Sequence, residues 1–287
     1  MRRSFAAALL FLVLLLPGSA PAWAWGCAGH EVIALIAAAH LHPVVLARVR
    51  ALLALRVGPA DLRPCPDAAV LPPMARSAGW ADAVRTPATA PFHFVDLPLT
   101  ARRGKVDYTT LCPSQCLSTA LDQFMAQLRD PATPARQRAV ALRYVIHLTG
   151  DAFQPLHVSD NADQGGNCVR TRLPGHRRTT SLHADWDSGL LAAMIPGADP
   201  VAYAHRLDRQ FGRRYAQGSL HPLDWIWASH ALAVSRAFGP LHLAPGCHRQ
   251  TLRLSSTYVR QARQTIARQL DRAGWRLAGV LNQLLSS

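Results

Sequence analysis

The sequence predicts an all-α fold, and three observations carry that expectation. Apolar residues recur at helical spacing through segments rich in Ala, Leu and Arg. Strand-type alternation is nearly absent, apart from a short extended piece, "FHFVD", from Phe92 to Asp96. Neither an internal repeat nor a low-complexity linker divides the chain, so a single mostly helical domain is the economical arrangement.

Residues 1–24 read as a secretory leader outside that domain. Arg2 and Arg3 supply the positive start, "FAAALLFLVLLL" the apolar run, and Ala22 and Ala24 the small residues of a cleavage point before Trp25. The run is short for a bilayer span, and no later segment is apolar enough to cross. An exported mature chain, residues 25–287, is therefore expected, either periplasmic or secreted. Helices are expected over 29–41 and 43–56, with Pro43 at the break. Further helices are expected over 74–85, 115–129, 134–150, 181–193, 199–215, 221–237 and 249–285. Proline and glycine concentrate at 58–73, 86–104 and 155–176, which read as long ordered loops. Loops of that length in a compact domain usually carry function.

Charge and cysteine narrow the setting. The formal charge is +14, or +12 once Arg2 and Arg3 are gone, and Lys105 is the sole lysine. Such a surface favours anionic partners (nucleic acid, phosphates or acidic lipid) or serves solubility alone. The six cysteines all follow residue 24, and an even count in an exported chain points to disulfides. The local pair Cys112–Cys116 comes first, with Cys27–Cys65 and Cys168–Cys247 completing the set.

Histidine, at thirteen residues, is abundant and clustered with aspartate. "HLTGDAFQPLH" holds His147, Asp151 and His157; "LHADWD" holds His183 and Asp187. "GWADAVRTPATAPFHFVD" holds Asp82, Arg85, His93 and Asp96. Residues four apart share a helical face, so His147 with Asp151, and His183 with Asp187, each present an imidazole and a carboxylate to one point. That donor set without cysteine suits zinc in an open, catalytic site. One such pair alone reads more readily as an ion pair or a cap, and Gly150 could end its helix before Asp151 aligns. Two pairs, with His157 just beyond Pro155, favour metal. His40, His42, His176, His205, His221, His230, His242 and His248 have no comparable partners and read as surface or core polar residues.

With those residues in view, the sequence resembles the zinc-dependent single-strand nuclease and 3'-nucleotidase family (the S-one/P-one type), related to the zinc phospholipases C. The pieces that carry the resemblance are "WGCAGH", "WADAVR", "FHFVD", "HLTGDAFQPLH", "GGN" and "LHADWD", in family order from residue 25 to about 190. The resemblance implies a helical fold with long ordered loops around a three-zinc cleft. One zinc would be held by Asp82, His93, His147 and Asp151, and a second by His157, His183 and Asp187. The third would take the amine and carbonyl of Trp25, with His30 and Asp151, so that Asp151 bridges two ions. Three aspartates against three zinc ions leave a net +3, which suits a phosphate.

The implied activity is hydrolysis of single-stranded DNA and RNA to 5'-phosphate products, with 3'-nucleotidase activity, by a zinc-bridged water nucleophile. Asp82, Arg85 and Asp151 would form the catalytic set. Arg85 would clamp the phosphate if 74–85 is one helix that puts it on the face of Asp82; otherwise it is a solvated arginine. In an extended "FHFVD", His93 would face the metal while Phe94 and Asp96 project together on the other side. The resemblance makes Phe94 a stacking platform for an unpaired base and Asp96 an acceptor from its edge. Phe92 and Phe94 are otherwise core aromatics. Ser181 stands where the family more often has asparagine, which bears on a supporting hydrogen bond and leaves the ligands untouched. Arg170, Arg172, Arg177 and Arg178 would lie beside the site and extend the grip on phosphate. Two other functions stay open at this point, a zinc phospholipase C and a non-catalytic basic nucleic-acid-binding protein. No stable protein partner is implied.

Overall fold

The structure, a computed structural model, describes residues 25–57, 65 and 70–286. The predicted leader and most of the predicted loop 58–73 lie outside the described residues. Helix α1 (Gly26–Ala39) begins after Trp25, whose backbone is left-handed at φ 45°. Pro43 opens α2 (Pro43–Leu53) in the first turn, where a missing N–H removes no helical hydrogen bond.

The helix expected over 74–85 is instead two short ones, α3 (Pro73–Arg76) and α4 (Trp80–Ala83). Between them the Ser77 hydroxyl donates to the Pro73 carbonyl at 2.8 Å, competing with the helical ladder. Gly79 then follows at the turn. A short helix that the periodicity did not announce, α5 (Tyr108–Leu111), is capped by the Asp107 carboxylate, which accepts from the Thr109 N–H. Next come α6 (Leu117–Arg129) and α7 (Ala135–Ala152), the latter running straight through Gly150.

After α7 the mostly helical chain adds a small sheet that the near-absence of strand alternation did not announce. Strands β1 (Val169–Arg172) and β2 (Thr180–Ser181) lead into α8 (Leu182–Ala184), a wider π turn (Asp185–Gly189) and α9 (Leu190–Ala192), one continuous helical stretch. Helix α10 (Pro200–Phe211) follows, and α11 (Pro222–Leu232) runs on into a π turn (Ala233–Phe238). The helix expected from 249 starts only at α12 (Ser256–Leu285); residues before it form β3 (His248–Arg253). The sheet order is β2-β1-β3, with β1 antiparallel to β2 and parallel to β3. A covalent link explains why so weak a strand pattern pairs. The Cys168–Cys247 disulfide immediately precedes the partners Val169 and His248 and fixes their register. Cys27–Cys65 and Cys112–Cys116 complete the expected pairing.

Helix α7 is the centre of the fold: α1, α2, α4, α6, α11 and α12 all pack on it. Every residue from Ala141 to Ala152 is buried, so His147 and Asp151 sit inside the core, where polar groups need partners. Among the described residues, no helix is long and apolar enough to cross a membrane.

Candidate active site

Because α7 continues past Gly150, His147 and Asp151 do share a face. Gly150 has a further role there. A Cβ at that position would lie 2.7 Å from His30 Nδ1, so only glycine lets α1 bring its imidazole against α7. His30 then stacks on His147 with ring centroids 3.9 Å apart. Asp151 is the hub of the group. Its carboxylate lies 3.0 Å from His93 Nδ1, and 3.4 Å from both His30 Nε2 and His147 Nε2. Asp82 reaches in from α4, 3.6 Å from His93 and from His147.

A second group adjoins the first. His157 ends the short turn Pro155–His157, and α8 with its π turn presents His183 and Asp187. Asp187 Oδ2 is 3.2 Å from His183 Nε2, and Asp187 Oδ1 is 3.7 Å from His157 Nε2. The Trp25 backbone N–H donates to Asp187 Oδ1 at 3.3 Å, while the Trp25 indole donates to the Gly150 carbonyl. The N-terminal residue of the proposed mature chain therefore sits between the two groups. Three sets of ligand-type atoms lie within 4.8 Å of one another: His30, His147, Asp151; Asp82, His93, His147; and His157, His183, Asp187. Each could hold a metal ion.

Backbone carbonyls orient the imidazoles. His147 Nδ1 donates to Ala78, His157 Nδ1 to His93, and His183 Nδ1 to Gly165, at 2.7, 2.8 and 2.7 Å. A carbonyl only accepts, so each Nδ1 carries a proton and each Nε2 turns its lone pair inward. His157 Nε2 and His183 Nε2 face each other at 3.2 Å, beside a carboxylate. Three acceptors so close need a cation or proton among them. Buried atoms without a hydrogen-bond partner repeat the point: Nε2 of His93 and His147, Asp151 Oδ1 and Asp187 Oδ2. Nitrogen and oxygen donors in this arrangement fit zinc.

Among the protein groups alone, burial and charge oppose one another at the same residues. Burial works against ionised Asp151, yet His147 and His157 hold its carboxyl well below the usual range. Burial also opposes a charge on His147, but Asp151 and Asp82 outweigh it and push the imidazole up to about 9. Burial drives His157 down to about 3 and Asp187 up to about 6. A neutral His157 has its lone pair free for a metal at any physiological pH.

The second group opens on a cleft of about 490 Å³. Arg85, Phe94, Asp96, Asp160 and Gln164 line it together with His93, His157 and His183. Two expectations change here. Arg85 lies beyond the end of α4, with its N–H on the Asp82 carbonyl at 3.1 Å, so a turn and not a shared helical face brings it to the cleft. His93 closes a 3-10 turn (Ala90–His93), and the chain becomes extended only at Phe94. That break resets the side chains, and His93, Phe94 and Asp96 line one cleft instead of opposite faces. Phe92 packs edge-on against Phe124 and Tyr144 in the core. Arg170, Arg172, Arg177 and Arg178 do not line this cleft.

Sequence reasoning passed over Gln154, which is fully buried and donates to Asp187 Oδ1 at 2.5 Å. It also assigned nothing to Asp160, whose carboxylate accepts from the N–H groups of Asp163 and Gly165. Gly165 must be glycine: its φ is +60°, and a Cβ would stand 2.7 Å from the Leu156 carbonyl oxygen. Ser181 caps α8, accepting from the Ala184 N–H at 3.1 Å. His40 and His230, read as unpartnered, pair with Asp208 at 2.8 Å and with Ser159 at 2.7 Å.

The family model described as S1/P1 Nuclease matches residues 25–286. The chain belongs to the S1/P1 nuclease family. As a member it is a nuclease and so a hydrolase, and the helical, zinc phospholipase C-like fold is the family's. Similar proteins include nuclease P1 of Penicillium citrinum, 27% identical over 92% of this chain and 98% of the relative. Endonuclease 2 of Arabidopsis thaliana is 29% identical over 58% of this chain and 56% of its own length. Nuclease S1 of Aspergillus oryzae is 32% identical over 41% of this chain and 42% of its own. The family match begins at Trp25, the residue proposed to start the mature chain.

Proposed function

We propose that this chain is an exported, zinc-dependent phosphodiesterase. It cuts single-stranded DNA and RNA to 5'-phosphate products and removes the phosphate of 3'-nucleotides. One observation carries the reading: two inward-facing imidazole nitrogens 3.2 Å apart beside Asp187, at the floor of a cleft that also holds Phe94 and Asp96. Three zinc ions would be held by Asp82, His93, His147 and Asp151; by His157, His183 and Asp187; and by Trp25, His30 and Asp151. Bound there, zinc supplies a water of lowered pKa and positive charge for the phosphate and the leaving oxygen.

The rest is the work of the chain. Ala78, His93 and Gly165 carbonyls keep three imidazoles in the tautomer that can ligate. Gln154 fixes Asp187 through one oxygen and leaves the other inward. Arg85 at the cleft wall offers its guanidinium fork to a phosphate. Phe94 offers a face to an unpaired base, worth about 1–3 kcal/mol whichever base it is, and a duplex would hide that face. Asp96 and Asp160 accept from base-edge donors; burial in the cleft, then Asp160, push Asp96 up to about 6. Three disulfides suit an oxidising compartment outside the cytoplasm, in keeping with the leader.

The competing enzyme reading, a zinc phospholipase C, shares the metal ligands but has no use for two carboxylates in the cleft. Digestion of heat-denatured DNA beside a phosphatidylcholine emulsion separates the two. Cleavage of lipid without cleavage of DNA would overturn the proposal.

A further inference from the structure

A larger cleft among the described residues lies elsewhere. It measures about 850 Å³, runs between α10 and the first half of α12, and shares no lining residue with the Phe94 cleft. Tyr203, Leu207 and Val259 form an apolar floor, while Arg206, Arg260, Arg263, Arg268 and His176 supply the polar wall. No carboxylate is among the lining residues. On α12 the arginines stand three and five residues apart, and the helix has no acidic residue before Asp271. Arg260 and Arg263, three apart, repel, and no carboxylate of their own helix lies within a turn of either.

Two details separate this cleft from an ordinary solvated face. Arg263 Nε is buried with no hydrogen-bond partner, although a buried donor is normally satisfied. Arg206 is already fixed: it donates to the Met194 carbonyl at 2.8 Å and its guanidinium lies 4.7 Å over the Tyr203 ring. Several cations around an apolar floor, one of them already fixed, match a ligand with phosphates and flat, weakly polar groups.

Its place relative to the metal groups decides which ligand. His183 stands at the start of the continuous stretch 182–192, and Ala193 and Met194 at its end line the basic cleft. At helical rise that separation is about 15 Å, or roughly four nucleotides at the ~3.4 Å spacing of a stacked strand. We propose that this cleft is an exosite that grips the phosphate backbone of the same single strand whose cleavage occurs at the metal groups. The proposal rests on the function proposed above. Dinucleotides are too short to reach it; strands longer than about five nucleotides engage both.

Steady-state kinetics of the zinc-loaded protein on a dinucleotide and on a single-stranded dodecamer test the idea. The variants are Arg260→Ala/Arg263→Ala and, at exposed positions that spare the fold, Arg260→Glu/Arg268→Glu. For the dodecamer, KM should rise roughly tenfold, as for two lost charge-assisted contacts, with kcat unchanged. The salt slope of dodecamer affinity should shrink by about 1.4, or ~0.7 per phosphate released. The dinucleotide should respond to neither change. An equal rise in KM for both substrates, or none for either, would overturn the exosite. Anisotropy of a labelled phosphorothioate dodecamer reads binding without turnover, so it decides the exosite even if the chain cuts nothing. Unchanged dodecamer binding, with loss of binding to phosphatidylglycerol vesicles or inorganic phosphate, would assign the cleft to another anion and refute the proposal.

Discussion

Gly150→Ala isolates the close approach of α1 to α7 from every ligand in the site. The new Cβ would stand 2.7 Å from His30 Nδ1 and 2.8 Å from Cε1, where ordinary contact begins at 3.4 Å. The imidazole must therefore retreat by about 0.7 Å or turn away, since Gly150 sits on a buried helix backbone that has no room to yield. Alanine gains about 1 kcal/mol of helix propensity against roughly 1–3 kcal/mol of overpacking, so the fold survives with a small net loss. Function does not share that tolerance, because a displacement near 1 Å in a catalytic arrangement costs about a hundredfold in rate. Elemental analysis should find one metal ion fewer per chain, and single-strand cleavage should fall about a hundredfold while the melting temperature moves by only a few degrees. Combining Gly150→Ala with His30→Ala should be no worse than His30→Ala alone, because both act on the same imidazole. Full metal content and full activity in Gly150→Ala would refute the view that this glycine exists to admit His30.

Other outcomes follow from the same geometry. Trp25 N lies 3.3 Å from Asp187 Oδ1 in a fully buried position, so a chain with extra residues before Trp25 should bind less metal and lose most activity; equal activity would contradict the N-terminal ligand. Asp271 is buried with both carboxylate oxygens unpartnered, and burial with nearby Asp208 pushes it up to about 7. The native state thus holds this proton more tightly than the unfolded chain, and stability falls as pH rises from about 4 through 7. Asp271→Asn should melt higher than the parent at pH 8 and alike at pH 4; a lower melting temperature at pH 8 would reverse the argument. Removing Cys168–Cys247, which closes 79 residues, should cost roughly 4–5 kcal/mol against about 2 for the short Cys112–Cys116 loop. It should also lower activity further, since Cys247 lines the Phe94 cleft; chemical denaturation of the two variants compares them.

What could be read from the sequence was local or periodic. The spacing of His147 with Asp151, and of His183 with Asp187, places each pair on one helical face, and the structure does so. Whether Gly150 ended its helix was open, because a C-cap glycine and a close-approach glycine look alike until the neighbour, His30, is known. The helical face offered to Arg85 depends on an unbroken helix over 74–85, which Ser77 and Gly79 interrupt, and a single hydroxyl turning back on the Pro73 carbonyl leaves little trace in periodicity. Residues His248–Arg253 carry no clean alternation, and their pairing depends on a disulfide that joins chain segments 79 residues apart. Gln154, Asp160, and the partners of His40 and His230 were missed for a common reason. Each acts through a residue distant in sequence or through a backbone group, and side-chain spacing is silent about both.

The central claim is that Asp151 is the shared hub of a metal cluster that performs the hydrolysis. Zinc per chain and cleavage of heat-denatured DNA, measured together for the parent and for Asp151→Asn, test it most directly. The parent should carry about three zinc ions and cut the strand. The variant keeps the shape of the side chain but loses the charge that faces His30, His93 and His147, so it should lose the metal of two centres and its activity. A parent that cuts DNA with no metal bound, or a variant with full zinc and full activity, would contradict the account.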